Sequence, residues 1–103
     1  MVELVKRKRL EIVADAPLCE WLGERAAKLG IAHYSVVSLT AGSGQGGYWR
    51  DEDVSGAVAK RMFIAVASAD KAIAFIDALA PRLDEYGLLV TLSDVDVVRG
   101  DRF

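Results

Sequence analysis

The six residues Gly42-Ser43-Gly44-Gln45-Gly46-Gly47 hold four of the nine glycines in the chain, which makes this the segment with the greatest backbone freedom. Glycines let successive amides converge on an anion with no Cβ in the way, so cradling a phosphate or a smaller oxyanion is the chemistry such a segment can do. The Gly-Lys-Ser/Thr of a P-loop is missing and no helix follows directly, so neither a P-loop nor a dinucleotide fingerprint is present. An anion cradle and a plain hairpin loop stay open as readings. Tyr48-Trp49-Arg50 comes next, two aromatics and a cation where a surface loop normally carries polar residues. Such a trio suits stacking on a base, contact with a partner protein, or packing on a neighbouring subunit. Asp51, Glu52 and Asp53 could hold a hard cation, although consecutive carboxylates more often make a solvated turn. Asp94 and Asp96 share a strand face, as acid–base chemistry would need, but no serine, cysteine or lysine has an activating partner in a motif. His33 is the sole histidine and Cys19 the sole cysteine, far apart in sequence, so no metal-ligand spacing exists. Neither enzyme activity nor a bound metal is expected.

These residues must be positioned by a small fold. A chain of 103 residues can bury one core and not two, so residues 1–103 form a single domain. Thirteen basic against fifteen acidic residues leave a net charge of −2, which gives no field to draw the protein to nucleic acid or an anionic membrane. The run Lys6-Arg7-Lys8-Arg9 reads as the solvated start of a strand, because it has no aromatics interleaved and runs into Leu10-Glu11-Ile12. No nucleic-acid partner is expected. A single thiol excludes an internal disulfide and, with no signal-peptide pattern, points to a soluble protein of the cytoplasm. No apolar run approaches the roughly 20 residues of a membrane span.

The periodicity predicts four strands and two helices. Arg7 to Val13 alternates as a half-buried strand, with residues 1–5 as an N-terminal extension. Asp15 before Ala16-Pro17 is the expected cap of a helix that Gly30 stops. Ile31 to Thr40 is a second strand rich in β-branched residues, and Lys60 to Ala67 a third that answers it across a loop without regular structure over 41–59. Ser68 caps a second helix, with Ala72, Ile76, Leu79 and Leu83 as its buried stripe, a break near Leu79 forced by Pro81, and Gly87 as the stop. Leu88 to Arg99 is the fourth strand. Its apolar phase changes at Ser93-Asp94, the sign of a bulge or of a strand entering another environment. Right-handed crossovers then give an α+β domain, ferredoxin-like β-α-β-β-α-β, with a four-stranded antiparallel sheet and two helices on one face. The opposite face, on which Phe63 is expected, must be buried by association.

In this order of parts the chain resembles the PII signalling superfamily over Lys6 to Phe103. Tyr34-Ser35-Val36-Val37 after Gly30 is similar to the Gly-Tyr-Thr-Val-Val strand of PII-like proteins, and Gly42-Ser43-Gly44-Gln45 resembles the Gly-x-Gly at the base of their T-loop. Asp84-Glu85-Tyr86-Gly87 resembles the shortened B-loop of bicarbonate-associated members. Val95 to Phe103 resembles their last strand and tail.

The resemblance implies a homotrimer with a cleft between each pair of subunits that binds an adenine nucleotide, ADP, ATP or AMP, whose occupancy sets the shape of the T-loop. By position, Ser35 and Val36 would meet the nucleotide from the second strand, Gly42, Ser43, Gly44 and Gln45 from the loop base, and Gly87 from the B-loop. Lys60, Arg99 and Arg102 are the cations placed for phosphates. Bicarbonate is the second ligand implied by the carboxysome-associated branch, with the amides of Gly44, Gln45, Gly46 and Gly47 as its candidates. Tyr48, Trp49 and Arg50 would then face an unknown protein target, a transporter or a carboxysome-related protein. The Arg-Gln pair and the Tyr-Arg-Gly of other members are absent, so uridylylation of Tyr48 and 2-oxoglutarate sensing are not carried over. The alternative is a trimeric metal-tolerance protein of the CutA type, against which the lack of His/Cys clustering counts. An acylphosphatase-like enzyme would need an arginine at Asp15-Ala16-Pro17.

Overall fold

A computed structural model describes residues 1–51 and 59–103. Glu52, Asp53 and the rest of 52–58 lie outside the described residues, so the acidic trio is seen only at Asp51. The elements run β1 (Leu4–Asp15), α1 (Leu18–Lys28), β2 (Tyr34–Ser38), β3 (Ala41–Gly44), β4 (Gly47–Arg50), β5 (Lys60–Ala67), α2 (Ala69–Leu79) and β6 (Leu89–Val98), with short 3-10 turns at Ala80–Arg82 and Gly100–Arg102. The main sheet is antiparallel in the order β2-β5-β1-β6, the ferredoxin-like arrangement that the pattern of elements predicts. Both helices cover one face of it. Among the described residues no helix is long and apolar enough to cross a membrane.

The core lies between that face and the helices. Leu10, Ile12 and Ala14 of β1 and Phe63, Ala65 and Ala67 of β5 meet Leu22 and Ala26 of α1 and Ala72, Phe75 and Leu79 of α2, all essentially inaccessible to water. The alanines let the helix axes come close to the sheet, and Phe63 fills the space that remains. Its ring stacks on Tyr34 at 4.6 Å and meets Phe75 edge-on at 6.0 Å.

Phe63 therefore corrects the expected assignment of faces. Strand alternation puts Met62, Ile64 and Val66 on the side away from the helices, together with Val13 of β1, Val37 of β2 and Leu89, Val95 and Val97 of β6. This open face is apolar, as expected, but its members are aliphatic.

Local signals are obeyed in part. Ser68 caps α2, its hydroxyl accepting from the Lys71 amide at 3.4 Å, and α2 ends at Leu79 just before Pro81. Gly30 and Gly87 stop the helical segments with φ of 76° and 62°, conformations that other residues adopt at a cost. Asp15, however, is not a cap. It is the last residue of β1 and its carboxylate takes Lys60 Nζ at 2.5 Å, while Pro17 occupies the cap position of α1. β1 also begins earlier than its alternation suggests. Leu4 and Val5 pair with Val98 and Val97, so the N-terminal extension shrinks to Met1–Glu3. β2 is shorter than Ile31–Thr40, because Ile31 is still tied to α1 through its amide to the Ala26 carbonyl at 2.9 Å.

The bulge expected at Ser93-Asp94 is absent. β6 pairs with β1 in unbroken register from Leu4↔Val98 to Val13↔Leu89. The apolar phase changes because the helical layer ends. Val90 packs against the core, whereas farther along the same face Asp94 pairs with Lys8 and Asp96 with Lys6 at 2.9 Å, leaving Val95 and Val97 on the open face. These pairs also account for the two carboxylates that shared a strand face: lysines hold them, and Lys8 keeps Asp94 below the usual carboxylate range. Arg9 takes Glu11 at 3.1 Å and Arg7 binds main-chain oxygens, so the whole basic run is engaged within the chain.

Burial raises the Cys19 thiol above its ordinary pKa, with Arg61 acting weakly in the other direction. A thiol raised in this way is mostly protonated at neutral pH and a poor nucleophile. Alkylation of the folded protein at pH 8 should accordingly run well below the rate of the urea-unfolded chain, and equal rates would show that the site is open to solvent and reagent.

Candidate functional site

The glycine-rich segment is not structureless. Ala41–Gly44 and Gly47–Arg50 pair as a hairpin, Ala41↔Arg50 through Gly44↔Gly47, with Gln45-Gly46 as the turn and Gly47 at φ 96°. Its base is tied to the sheet: the Asp51 amide donates to the Thr40 carbonyl at 2.8 Å, the Leu39 amide donates to the Lys60 carbonyl at 3.2 Å, and Arg61 stands 3.9 Å from the Asp51 carboxylate. Trp49 lies over Gly42 so closely that a Cβ there would sit 2.5 Å from the indole. The glycine is thus needed at Gly42 for close approach. Tyr48 is 69% exposed, so the hairpin presents one aromatic ring outward while its own backbone serves as the seat of the other.

The residues expected to meet a nucleotide fall into two groups at opposite ends of the sheet, with Ser35 and Val36 between them. Gly42, Ser43, Gly44 and Gln45 of the hairpin, with Gly46 and Gly47 at its turn, stand at the end of the sheet where β5 begins at Lys60. Gly87 is at this end too, two residues before Leu89, which pairs with Val13 near the end of β1. Lys60 itself is held by Asp15. Arg99 and Arg102 are at the other end, on the turn that follows β6, both exposed. The eight residues of β5 separate the groups by roughly 25 Å at about 3.3 Å per residue. Ser35 stands midway opposite Ile64 on the open face, and Val36, opposite Phe63, faces the helical side. Side chains of Ser35 and Val36 therefore cannot line one pocket on one face of the sheet.

Two cavities flank the far group. One of about 280 Å³ is lined by Ala32, His33, Tyr34, Ser35, Ile64, Val66 and Phe103. The other, of about 130 Å³, lies between Gly30, Lys71, Asp101, Arg102 and the same His33 and Phe103. His33 and Phe103 are in ring contact at 5.3 Å and line both cavities. Neither was singled out from the sequence as a ligand contact. Phe103 could have been noticed only as an aromatic following two cations. Among the described residues no group of three or more His, Cys, Asp or Glu side chains is placed to hold a metal ion.

Arg99 is the one described residue other than glycine with positive φ (57°, ψ 61°). The left-handed conformation costs a non-glycine residue roughly 1–2 kcal/mol, and such strain is found disproportionately where a side chain has to be aimed.

The family model described as nitrogen regulatory protein P-II matches residues 7–102. Among solved structures, this chain is similar to CPII, a nitrogen regulatory PII-like protein from Thiomonas intermedia K12 bound to ADP, AMP and bicarbonate. The TM-score is 0.91 at 21% identity, over 100% of this chain and 98% of that one. A PII-like signalling protein from Thermus thermophilus matches with TM-score 0.79 at 22% identity, over 98% of each chain. A duf3240 family protein from Shewanella baltica follows at TM-score 0.64 and 15% identity, over 84% of this chain and 86% of that one. No curated protein sequence matches at a significant level.

Proposed function

Since this chain belongs to the nitrogen regulatory protein P-II family, we propose that it is a non-enzymatic regulator, a homotrimer that binds an adenine nucleotide at clefts between subunits. Bicarbonate is its second ligand, and the 41–59 loop is the element that signals to a protein target in inorganic-carbon metabolism in the cytoplasm.

The observation that carries this reading is the separation of the two groups along the sheet. The amides of the hairpin, Lys60 and Gly87 stand at one end and Arg99 and Arg102 at the other, farther apart than one nucleotide reaches. One ligand meets both groups only where the far end of one chain abuts the near end of the next. Such a contact is heterologous, and repetition by rotation closes it into a ring. The apolar open face, with Leu89 64% and Val37 41% exposed, supplies the surface for that closure. Cations brought opposite the amides of a glycine-rich turn are also what a polyphosphate requires. CPII, with ADP, AMP and bicarbonate in its solved structure, supplies the ligand set by likeness of fold.

The test combines light scattering of the purified chain with calorimetric titration of ADP, ATP and AMP, each with and without bicarbonate. The expected result is a trimer binding one nucleotide per chain, with tighter binding in bicarbonate. A monomer without heat of binding would overturn the reading, and binding that ignores bicarbonate would remove the second ligand alone.

A further inference from the structure

The turn that carries Arg99 and Arg102 has little structure of its own. It is a single 3-10 turn, Gly100–Arg102, closed by the Arg102 amide on the Arg99 carbonyl at 2.9 Å and the Phe103 amide on the Gly100 carbonyl at 3.1 Å. A turn this short does not hold itself in place. What ties it to the sheet is Arg7, a residue of β1 more than ninety positions away. Its Nη2 donates to the Gly100 carbonyl at 2.8 Å and its Nε to the Phe103 main-chain oxygen at 3.4 Å, while Nη1 is kept by the Lys6 carbonyl at 2.8 Å. The guanidinium thus spends its donors on three backbone oxygens. Beside it, Gly100 is buried on Val5, where a Cβ would come within 2.8 Å of the Val5 side chain. Arginine and glycine together press the turn onto the strand.

We infer that Arg7 is a positioning residue whose planar fork clamps the turn after β6 and thereby sets where the Arg99 and Arg102 cations stand. The clamp itself follows from the contacts of Arg7, and its consequence for ligand rests on the nucleotide-cleft reading. Lysine cannot replace it, because an ammonium is a single point charge on a flexible stem and does not span two carbonyls in fixed geometry. Gly100→Ala attacks the same clamp from the other side without changing any charge.

The experiment compares wild type with Arg7→Lys and Gly100→Ala, after circular dichroism and cooperative unfolding have shown each to be folded. Amide exchange at Arg102 and Phe103 is read first, and titration with ADP and with adenosine second. In both variants those two amides should exchange about tenfold faster or more, as locally opened amides do, with the core amides unchanged. ADP should bind about tenfold more weakly, as the loss of one charge-assisted contact predicts, while adenosine binding stays as in wild type. Unchanged exchange in Arg7→Lys would overturn the clamp. A turn that opens with no loss of ADP affinity, in a protein that does bind ADP, would overturn the positioning role and leave the nucleotide reading standing. If wild type bound no ADP, that reading would fail, and the exchange rates would still decide the clamp.

Discussion

Phe63→Ala should lower the free energy of unfolding by about 3–5 kcal/mol, the usual result of emptying a fully buried aromatic site. Phe63 has no accessible surface and is held between Tyr34 and Phe75, and the neighbouring alanines cannot move in to fill the space. Domains of this size are stable by roughly 5–15 kcal/mol, so the loss is a large share of the total. The comparison that gives the measurement its meaning is Ile64→Ala, one residue along and on the opposite face. In urea unfolding monitored by circular dichroism, Ile64→Ala should cost clearly less in the isolated chain, and its effect should emerge on dilution, as loss of association. If Ile64→Ala were the more damaging in a monomer, the helices would cover the other face and the assignment of faces would be wrong.

That assignment was only half legible in the sequence. Alternation along Lys60–Ala67 separates Met62, Ile64 and Val66 from Phe63, Ala65 and Ala67, but both sets are apolar, so hydropathy alone cannot say which receives the helices. Size says it. Ala14, Ala65 and Ala67 share the covered face, because helices pack against a sheet most closely over small residues, with a few large rings to fill the gaps. The change of phase in β6 misled for a related reason. A strand longer than the helical layer changes its buried side where the layer stops, and the backbone needs no bulge to do so. The lysines of β1 opposite Asp94 and Asp96 were the available sign, since cross-strand pairs of opposite charge belong on an uncovered stretch.

The glycine-rich loop shows how a strong signal hides a weaker one. Ala41–Gly44 and Gly47–Arg50 flank a two-residue turn, a common hairpin spacing, yet glycines contribute no strand propensity and the segment reads as structureless. The role of Arg7 was not legible at all. The two partners that make the clamp are main-chain oxygens 93 and 96 residues away, and no local pattern encodes a main-chain acceptor brought in by topology. The residues at the two ends of the candidate site were proposed one by one through family likeness, while their separation by a whole strand length became visible only when the register was known.

If Arg99 meets the nucleotide as proposed, backbone and ligand make opposite demands on it, and the second large effect is expected there. At φ 57° the residue is in a conformation that glycine adopts freely and arginine at a cost of roughly 1–2 kcal/mol. Arg99→Gly should therefore leave the fold as stable as wild type or raise its stability by up to about 1 kcal/mol, part of the gain being lost to the greater freedom of glycine in the unfolded chain. Arg99→Ala keeps the strain and should gain nothing. Both substitutions remove the guanidinium, and if it meets a phosphate across the subunit boundary, each should weaken ADP about 10- to 100-fold, the worth of one charge-assisted hydrogen bond of about 1.5–3 kcal/mol. Adenosine, which has no phosphate, should bind both variants as it binds wild type. Calorimetric titration and urea unfolding on the same three proteins separate the two effects. A residue kept for the stability of the turn would make Arg99→Gly harmless to ADP binding, whereas one kept to aim a cation makes the more stable protein the poorer binder. Unchanged ADP titrations in both variants would remove Arg99 from the site.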